Sequence, residues 1–288
     1  MSRIEKALKK AIEMRESAKE TIAEETIKSD STVLSTLEVP EMIVSLDRVE
    51  RNIVCITDPS SGTAEQYKKL RAKILNLTAK NFLNTIMVTS PDMGDGKSIT
   101  AMNLAATLAQ KMDYTVLLID ADLRHPSLLK LLGIKSNYGL SDYLVGKVDL
   151  PDILIKTGIG KLVIMPAGNA TENSVELLSS EAMKRLVHEI KHRYKDRYII
   201  FDAPPIIAVA DTLPLSNYVD GVLLVIQAAR TTPKTALHAI SQIKGSNILG
   251  VVFNKVPSYL VKNLYPYYRD YGQYYAKAEK MDSMSQGQ

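Results

Sequence analysis

From residue 85 onward the chain repeats one pattern. A short, wholly apolar run is followed by a turn rich in Gly, Pro, Asp or Ser, and then by a longer stretch with apolar positions three and four apart. The apolar runs are 86–89, 116–119, 162–165, 198–201, 222–226 and 248–253, and the longer stretches centre on 97–111, 174–195 and 233–244. Runs that are apolar at every position suit strands covered on both faces. Their alternation with helical stretches predicts an α/β fold: a doubly wound, mostly parallel sheet. Such sheets bind ligands beyond the carboxyl ends of their strands.

Upstream the pattern changes. Residues 3–22 carry Ile4, Ala7, Leu8, Ala11, Ile12, Ala18 and Ile22 at helical spacing, with Arg3, Lys6, Lys9 and Lys10 in the first turns. This predicts an amphipathic helix, docked on protein or lying on a membrane surface. Residues 23–57 are rich in Ser, Thr and Glu and read as a linker. After the turn cluster at 58–62, a helix is expected over 63–79, with Leu70, Ile74 and Leu77 inward. Glu65, Lys68 and Arg71 would then form one exposed charged stripe. The expected organisation is an N-terminal helix (1–22), a linker (23–57), a nucleotide-binding domain (58–257) and a flexible tail (258–288).

Composition narrows the class. The chain has 288 residues, 45% of them apolar, which is enough for a sizeable core. Its 36 basic and 32 acidic side chains leave a net charge of +4, too mild to indicate nucleic acid, and none is expected as a partner. The single cysteine, Cys55, excludes an internal disulfide framework and a cysteine-rich metal or iron–sulfur site. No run approaches the ~20 apolar residues of a membrane span. A reduced, cytoplasmic setting is expected, with any membrane link made through a partner or a surface-lying segment.

The chemistry sits where the strands end. Residues 90–98 read Ser-Pro-Asp-Met-Gly-Asp-Gly-Lys-Ser. Glycines let backbone N–H groups converge on an anion, and the helix that follows adds the positive end of its dipole. This loop, Met93, Gly94, Asp95, Gly96, Lys97, Ser98 and Ile99, is expected to bind ATP. Lys97 would reach the β/γ-phosphates and the Ser98 hydroxyl would help hold Mg²⁺. Pro91 stands where Gly-x-x-x-x-Gly-Lys-Ser/Thr has its first glycine, so the loop is loose at its front and firm at its back.

Two further strand ends carry carboxylates. Asp120 and Asp122 follow the second run, with Arg124 two residues on; near a phosphate loop they point to metal–water ligation and nucleophile activation. Asp202 follows the fourth run and is stopped by Pro204 and Pro205, the form of a carboxylate poised to hold Mg²⁺. Asn254 ends the last run; its amide could read an adenine edge or simply form a turn.

Half of the chain's 14 tyrosines lie between 259 and 275: Tyr259, Tyr265, Tyr267, Tyr268, Tyr271, Tyr274 and Tyr275. No apolar period assigns them to a core. They could stack on bases, but beside an ATP site phosphate acceptance is the stronger reading, each event adding roughly −1.5 to −2 charges.

Taken in order, residues 90–98, 117–124 and 198–205 and the tyrosine tail resemble the bacterial tyrosine autokinases of exopolysaccharide and capsule loci. Arg124-His-Pro126, Gly139-Leu-Ser-Asp142 and Pro166-Ala-Gly168 leading to Glu176-Leu-Leu178 support the match. The opening Met-Ser-Arg-Ile-Glu-Lys-Ala-Leu looks like the stand-alone form found beside exosortase-type clusters. The resemblance implies a P-loop NTPase of the deviant Walker (MinD/ParA-like) type. It also implies Mg-ATP-dependent autophosphorylation of Tyr265, Tyr267, Tyr268, Tyr271, Tyr274 and Tyr275, in trans within a homo-oligomer. Lys97, Asp120, Asp122 and Asp202 would be catalytic, with Asp120 receiving the tyrosine. Ser98, Asp120 and Asp202 would hold the metal, Arg124 would support phosphate, and Glu65, Lys68 and Arg71 would touch the next subunit.

Implied partners are a transmembrane polysaccharide co-polymerase or chain-length activator and a cognate tyrosine phosphatase. The resemblance also implies a peripheral place at the inner face of the plasma membrane, through a partner. Three departures stand out: Lys68 in Glu-x-x-Arg-x-x-Arg; Asn173 without the flanking prolines of Pro-Pro-Asn-Pro; and Asp92 in place of the early lysine of partition and division-site ATPases. The competing reading is a regulatory ATPase of that kind, without transfer to tyrosine.

Overall fold

The computed structural model of the chain describes residue 42 and residues 44–194 and 196–257. The helix expected at 3–22 and the tyrosine-rich tail from 258 lie outside the described residues.

The strands are β1 (Thr85–Thr89), β2 (Thr115–Asp120), β3 (Ile155–Lys156), β4 (Leu162–Met165), β5 (Arg197–Asp202), β6 (Gly221–Gln227) and β7 (Ile248–Asn254). They form one sheet in the order β3-β4-β2-β5-β1-β6-β7. All pairings are parallel except β3 with β4. All six runs marked by the apolar pattern are strands. The seventh, β3, has two residues, too short to leave a periodic signal.

Side-chain alternation builds two cores, one on each sheet face. Ile86, Val88, Val116, Leu118 and Ile200 point into one; Met87, Leu117, Ile119, Ile199 and Phe201 point into the other. The helices are α1 (Val54–Thr57), α2 (Gly62–Thr78), α3 (Lys97–Ala109), α4 (Leu128–Leu132), α5 (Leu140–Leu144), α6 (Ser174–Leu178), α7 (Glu181–Arg193), α8 (Thr212–Ser216) and α9 (Pro233–Gln242). Helix α3 lies in the first core, buried along nearly its whole length, while Met183, Leu186 and Ile190 of α7 fill the second.

Three expectations are corrected. Residues 44–57 are no linker: Val44, Val49, Ile53, Cys55 and Ile56 belong to the first core. Met42 and Val44 also donate backbone hydrogen bonds to Lys156 and Thr157, at 2.8 and 3.3 Å, which covers the β3 edge. The apolar residues of 44–57 follow no period, yet these five are buried, while Leu46 stays 61% exposed. Second, α2 turns Tyr67, Ile74 and Thr78 inward and leaves Leu77 55% exposed. Arg71 leaves the expected stripe: its Nη1 donates to the Thr107 carbonyl at 2.7 Å and to Thr107 Oγ1 at 3.1 Å. Third, the stretch 174–195 is two helices, because the Ser180 hydroxyl caps α7 by accepting from Met183 N.

The stretches Gly139–Asp142 and Pro166–Gly168 are neighbours. Leu140 N and Ser141 N donate to the Pro166 and Ala167 carbonyls. A Cβ on Gly139 would sit 2.1 Å from Gly168 N, so close approach explains the glycine.

Candidate active site

The central strands β2, β5 and β1 end side by side, and Asp120 is paired in register with Asp202. Between β1 and α3 the phosphate loop turns with two left-handed residues, Gly94 (φ +81°) and Gly96 (φ +96°). Pro91 is not among the positive-φ positions, so this loop needs no glycine at its front. The Pro91 carbonyl instead accepts from Ile207 N, as the Ser90 carbonyl does from Ile206 N. Helix α3 then opens at Lys97 with four N–H groups to offer an anion.

Lys97 gathers the centre. Its Nζ donates to Asp122 Oδ2 at 2.8 Å, lies 3.8 Å from Asp202 Oδ1 and donates to the Ser98 hydroxyl at 3.3 Å. Burial pulls the ammonium down, but Asp202 and Asp122 outweigh it and hold it above its usual value. Asp202 is fully buried, and neither carboxylate oxygen has a hydrogen-bond partner among the described residues. Burial pushes its carboxyl up against the pull of Lys97. Two orphaned oxygens beside a hydroxyl form a half-built site that fits a hard divalent cation. Among the described residues no cluster of three metal-binding side chains forms a full cage. That suits Mg²⁺, which completes its octahedron with waters and substrate phosphates.

The two aspartates after β2 divide the work differently from expectation. Asp120 Oδ2 accepts from Ser127 N and Leu128 N at 2.9 and 3.0 Å, and Oδ1 from Asp122 N at 3.3 Å. It is buried behind the cleft, its carboxyl pushed up to about 7 by burial and by Asp202. Both of its carboxylate oxygens accept backbone amides, and it does not line the cleft. Asp122 lines the cleft, held by His125 N on its other oxygen.

Other expected contacts are struts. Asn254 Nδ2 donates to the Asp95 carbonyl at 2.9 Å and Oδ1 accepts from Lys255 N, so the amide ties the end of β7 to the phosphate loop. The Asp95 carboxylate is buried and receives Thr231 Oγ1 at 3.1 Å. Arg124 is gripped by Asp211 through Nε and Nη2 at 3.1–3.3 Å while lining the cleft. Asp211 was not singled out by the sequence; nor were Lys255, whose Nζ donates to the Gly94 carbonyl at 2.7 Å, and Arg230, 3.8 Å from Asp92. The direct Asn254-Lys255 adjacency was the available signal. Met93, Gly94, Gly96, Lys97, Ser98 and Ile99 all border one open cleft of about 420 Å³.

A sequence family described as an AAA domain matches residues 83–247. Tyrosine-protein kinase YwqD of Bacillus subtilis is 36% identical over 209 residues, covering 72% of this chain and 87% of that protein. The kinase domain of Escherichia coli tyrosine kinase ETK superposes with a TM-score of 0.65 at 27% identity, over 72% of this chain and 82% of that domain. The septum site-determining protein MinD of Pyrococcus horikoshii, solved with Mg-ADP, shares the fold at 22% identity, with a TM-score of 0.51 over 62% of this chain and 76% of that one. Among the described residues no helix is long and apolar enough to cross a membrane.

Proposed function

This chain belongs to the bacterial tyrosine-protein kinases, enzymes that move phosphate from ATP to protein tyrosine, and from that premise we propose that it phosphorylates its own tail, in trans. The observation that carries the reading is the convergence of Asp122 and the buried Asp202 on Lys97, in a cleft lined by the phosphate loop.

In the proposed reaction the α3 N-terminus and the loop amides around Gly94 and Gly96 cradle the phosphates of ATP. Lys97 moves from its carboxylate partners onto the β/γ oxygens. Mg²⁺, held by Ser98 and Asp202, would supply charge neutralisation on the triphosphate. Asp122 faces the entering tyrosine hydroxyl. A phenol ionises near pH ~10, so a carboxylate that accepts its proton as attack proceeds is useful. The phenolic oxygen bonds to the γ-phosphorus, the bond from that phosphorus to the bridging oxygen breaks, ADP leaves, and the proton passes to Asp122. Asp120 does not touch the reactants; it pins residues 127 and 128 and so fixes the turn that presents Asp122. Arg124, oriented by Asp211, supports phosphate from the rim.

Acceptors are the tyrosines between 259 and 275, Tyr265, Tyr267, Tyr268, Tyr271, Tyr274 and Tyr275 foremost, on a neighbouring copy. Glu65, bound to Lys68 at 3.3 Å, is the exposed part of the subunit contact, with Arg71 tying α2 to Thr107 of α3. The setting we propose is an exopolysaccharide locus: a transmembrane co-polymerase activates the kinase and brings it to the membrane, a tyrosine phosphatase resets it, and tail charge regulates polymerisation and export.

Mixing tests the trans step. Lys97→Met protein with an intact tail is combined with active protein lacking 259–275. Label on the inactive chain is expected; label only in an intact wild-type chain, independent of concentration, would overturn transfer between copies.

A further inference from the structure

The cleft lining is of two chemical kinds. Lys97, Ser98 and Asp122 are polar; Pro204, Pro205, Ala208 and Val209, in the turn that follows β5, are apolar. The apolar wall is rigid. The Pro204 carbonyl accepts both Thr89 Oγ1 and Thr212 Oγ1, at 2.7 and 2.8 Å. Ile206 N and Ile207 N donate to Ser90 and Pro91 of the phosphate loop. Wall and phosphate loop are therefore one unit, and whatever rests on the wall keeps a fixed distance from the phosphates.

The wall is also poor in hydrogen-bonding groups. Two prolines contribute no N–H, the Pro204 carbonyl is taken twice, and the next two amides point into the phosphate loop. A base edge needs donors and acceptors to read it; an aromatic ring needs only an apolar face. Ala208 is exposed and Val209 half-buried, over two buried prolines, so a ring can reach them.

We propose that Pro204, Pro205, Ala208 and Val209 seat the ring of the acceptor tyrosine, supplied by the 259–275 segment of a second copy, with its hydroxyl toward Asp122. The proposal rests on the autokinase reading and adds to it the residues that select an aromatic acceptor. It gives the paired prolines a task beyond ending a strand: they hold the ring at a set distance from the phosphate loop.

The test uses the full-length protein with a synthetic peptide of residues 262–275 as exogenous acceptor. Ala208→Asp and Val209→Asp place a charge in the seat at accessible positions, and Val209→Ile keeps its apolar character. The peptide KM is expected to rise at least about tenfold in both Asp variants, the scale of losing an apolar ring contact. The ADP dissociation constant should stay within about twofold, and Val209→Ile, which keeps the apolar contact, should recover most of the peptide KM lost in Val209→Asp. A parallel loss of ADP affinity would make the wall a base site and overturn the proposal, as would an unchanged peptide KM. Should wild type transfer phosphate to no tyrosine, the autokinase reading falls. The seat is then read by peptide binding with a non-hydrolysable ATP analogue: loss in Val209→Asp supports it, and unaltered binding overturns it.

Discussion

The Lys97 ammonium donates to Asp122 Oδ2 at 2.8 Å, which parks the phosphate-binding cation on the carboxylate we assign to the acceptor hydroxyl. Each neutralises the other, and ATP must separate them. Nucleotide arrival thus frees Asp122 for the tyrosine in the step that engages Lys97. Asp122→Asn is expected to lower kcat by about 10²–10⁴-fold while leaving ATP binding near wild type. Asp120→Asn should cost less in kcat and more in stability. Steady-state kinetics with a peptide acceptor checks both.

Asp202 is a site kept at the expense of stability. Its buried oxygens lack hydrogen-bond partners among the described residues, and Asp120 beside it is pushed up to about 7. A carboxyl whose folded-state pKa lies above its unfolded value binds its proton longer when folded. The contribution of these two carboxyls is then greatest at low pH and falls as pH rises from about 4 toward about 7. Magnesium-free protein should show this decline, and Asp202→Asn should reduce it. At neutral pH that variant should gain about 1–3 kcal/mol, or ~2–9 °C in Tm, and lose activity. Thermal melts across pH test the sign.

Gly96 answers two demands at once. Its φ is +96°, and a Cβ there would lie 2.0 Å from Asn254 Nδ2. Gly96→Ala should weaken ATP binding more than tenfold and cost about 1–3 kcal/mol in stability. Asn254→Gly in the same chain should recover part of the loss, because the clash is shared between the two positions. Calorimetry on the double-mutant cycle reads the coupling.

Far from the cleft, Asp220 joins the starts of β1 and β6. It accepts from Thr85 Oγ1 at 2.7 Å and from the amides of Asn84 and Thr85, and it is paired with Lys191. Burial alone would raise its pKa, but Lys191 and Thr85 overcome that and lower it. Its stabilisation is present above the ordinary carboxylate range and is lost as pH falls through the lowered value. Asp220→Asn should cost about 2–3 kcal/mol at pH 7 and much less below pH ~3, by denaturant titration.

Much of the molecule was legible because two periods write it. Among the described residues the apolar runs found every strand but β3, and the motifs at 90–98, 120–124 and 202 meet around Lys97. What stayed hidden depends on contacts between distant segments. Ile53 and Cys55 look like linker residues until α3 covers them. Asp120 and Asp122 are equivalent in spacing, and only the amides of Ser127 and Leu128 turn one inward. Asn254 ends a strand like any turn former, and its strut to the Asp95 carbonyl spans segments far apart in the chain.

The central claim is transfer of phosphate to the tail. Purified full-length protein is incubated with labelled Mg-ATP, alone and with the cytoplasmic segment of its co-polymerase, and the modified residues are mapped by mass spectrometry. The account predicts phosphotyrosine within 259–275 in wild type and none in Lys97→Met. ATP hydrolysis with no phosphotyrosine under either condition would contradict it.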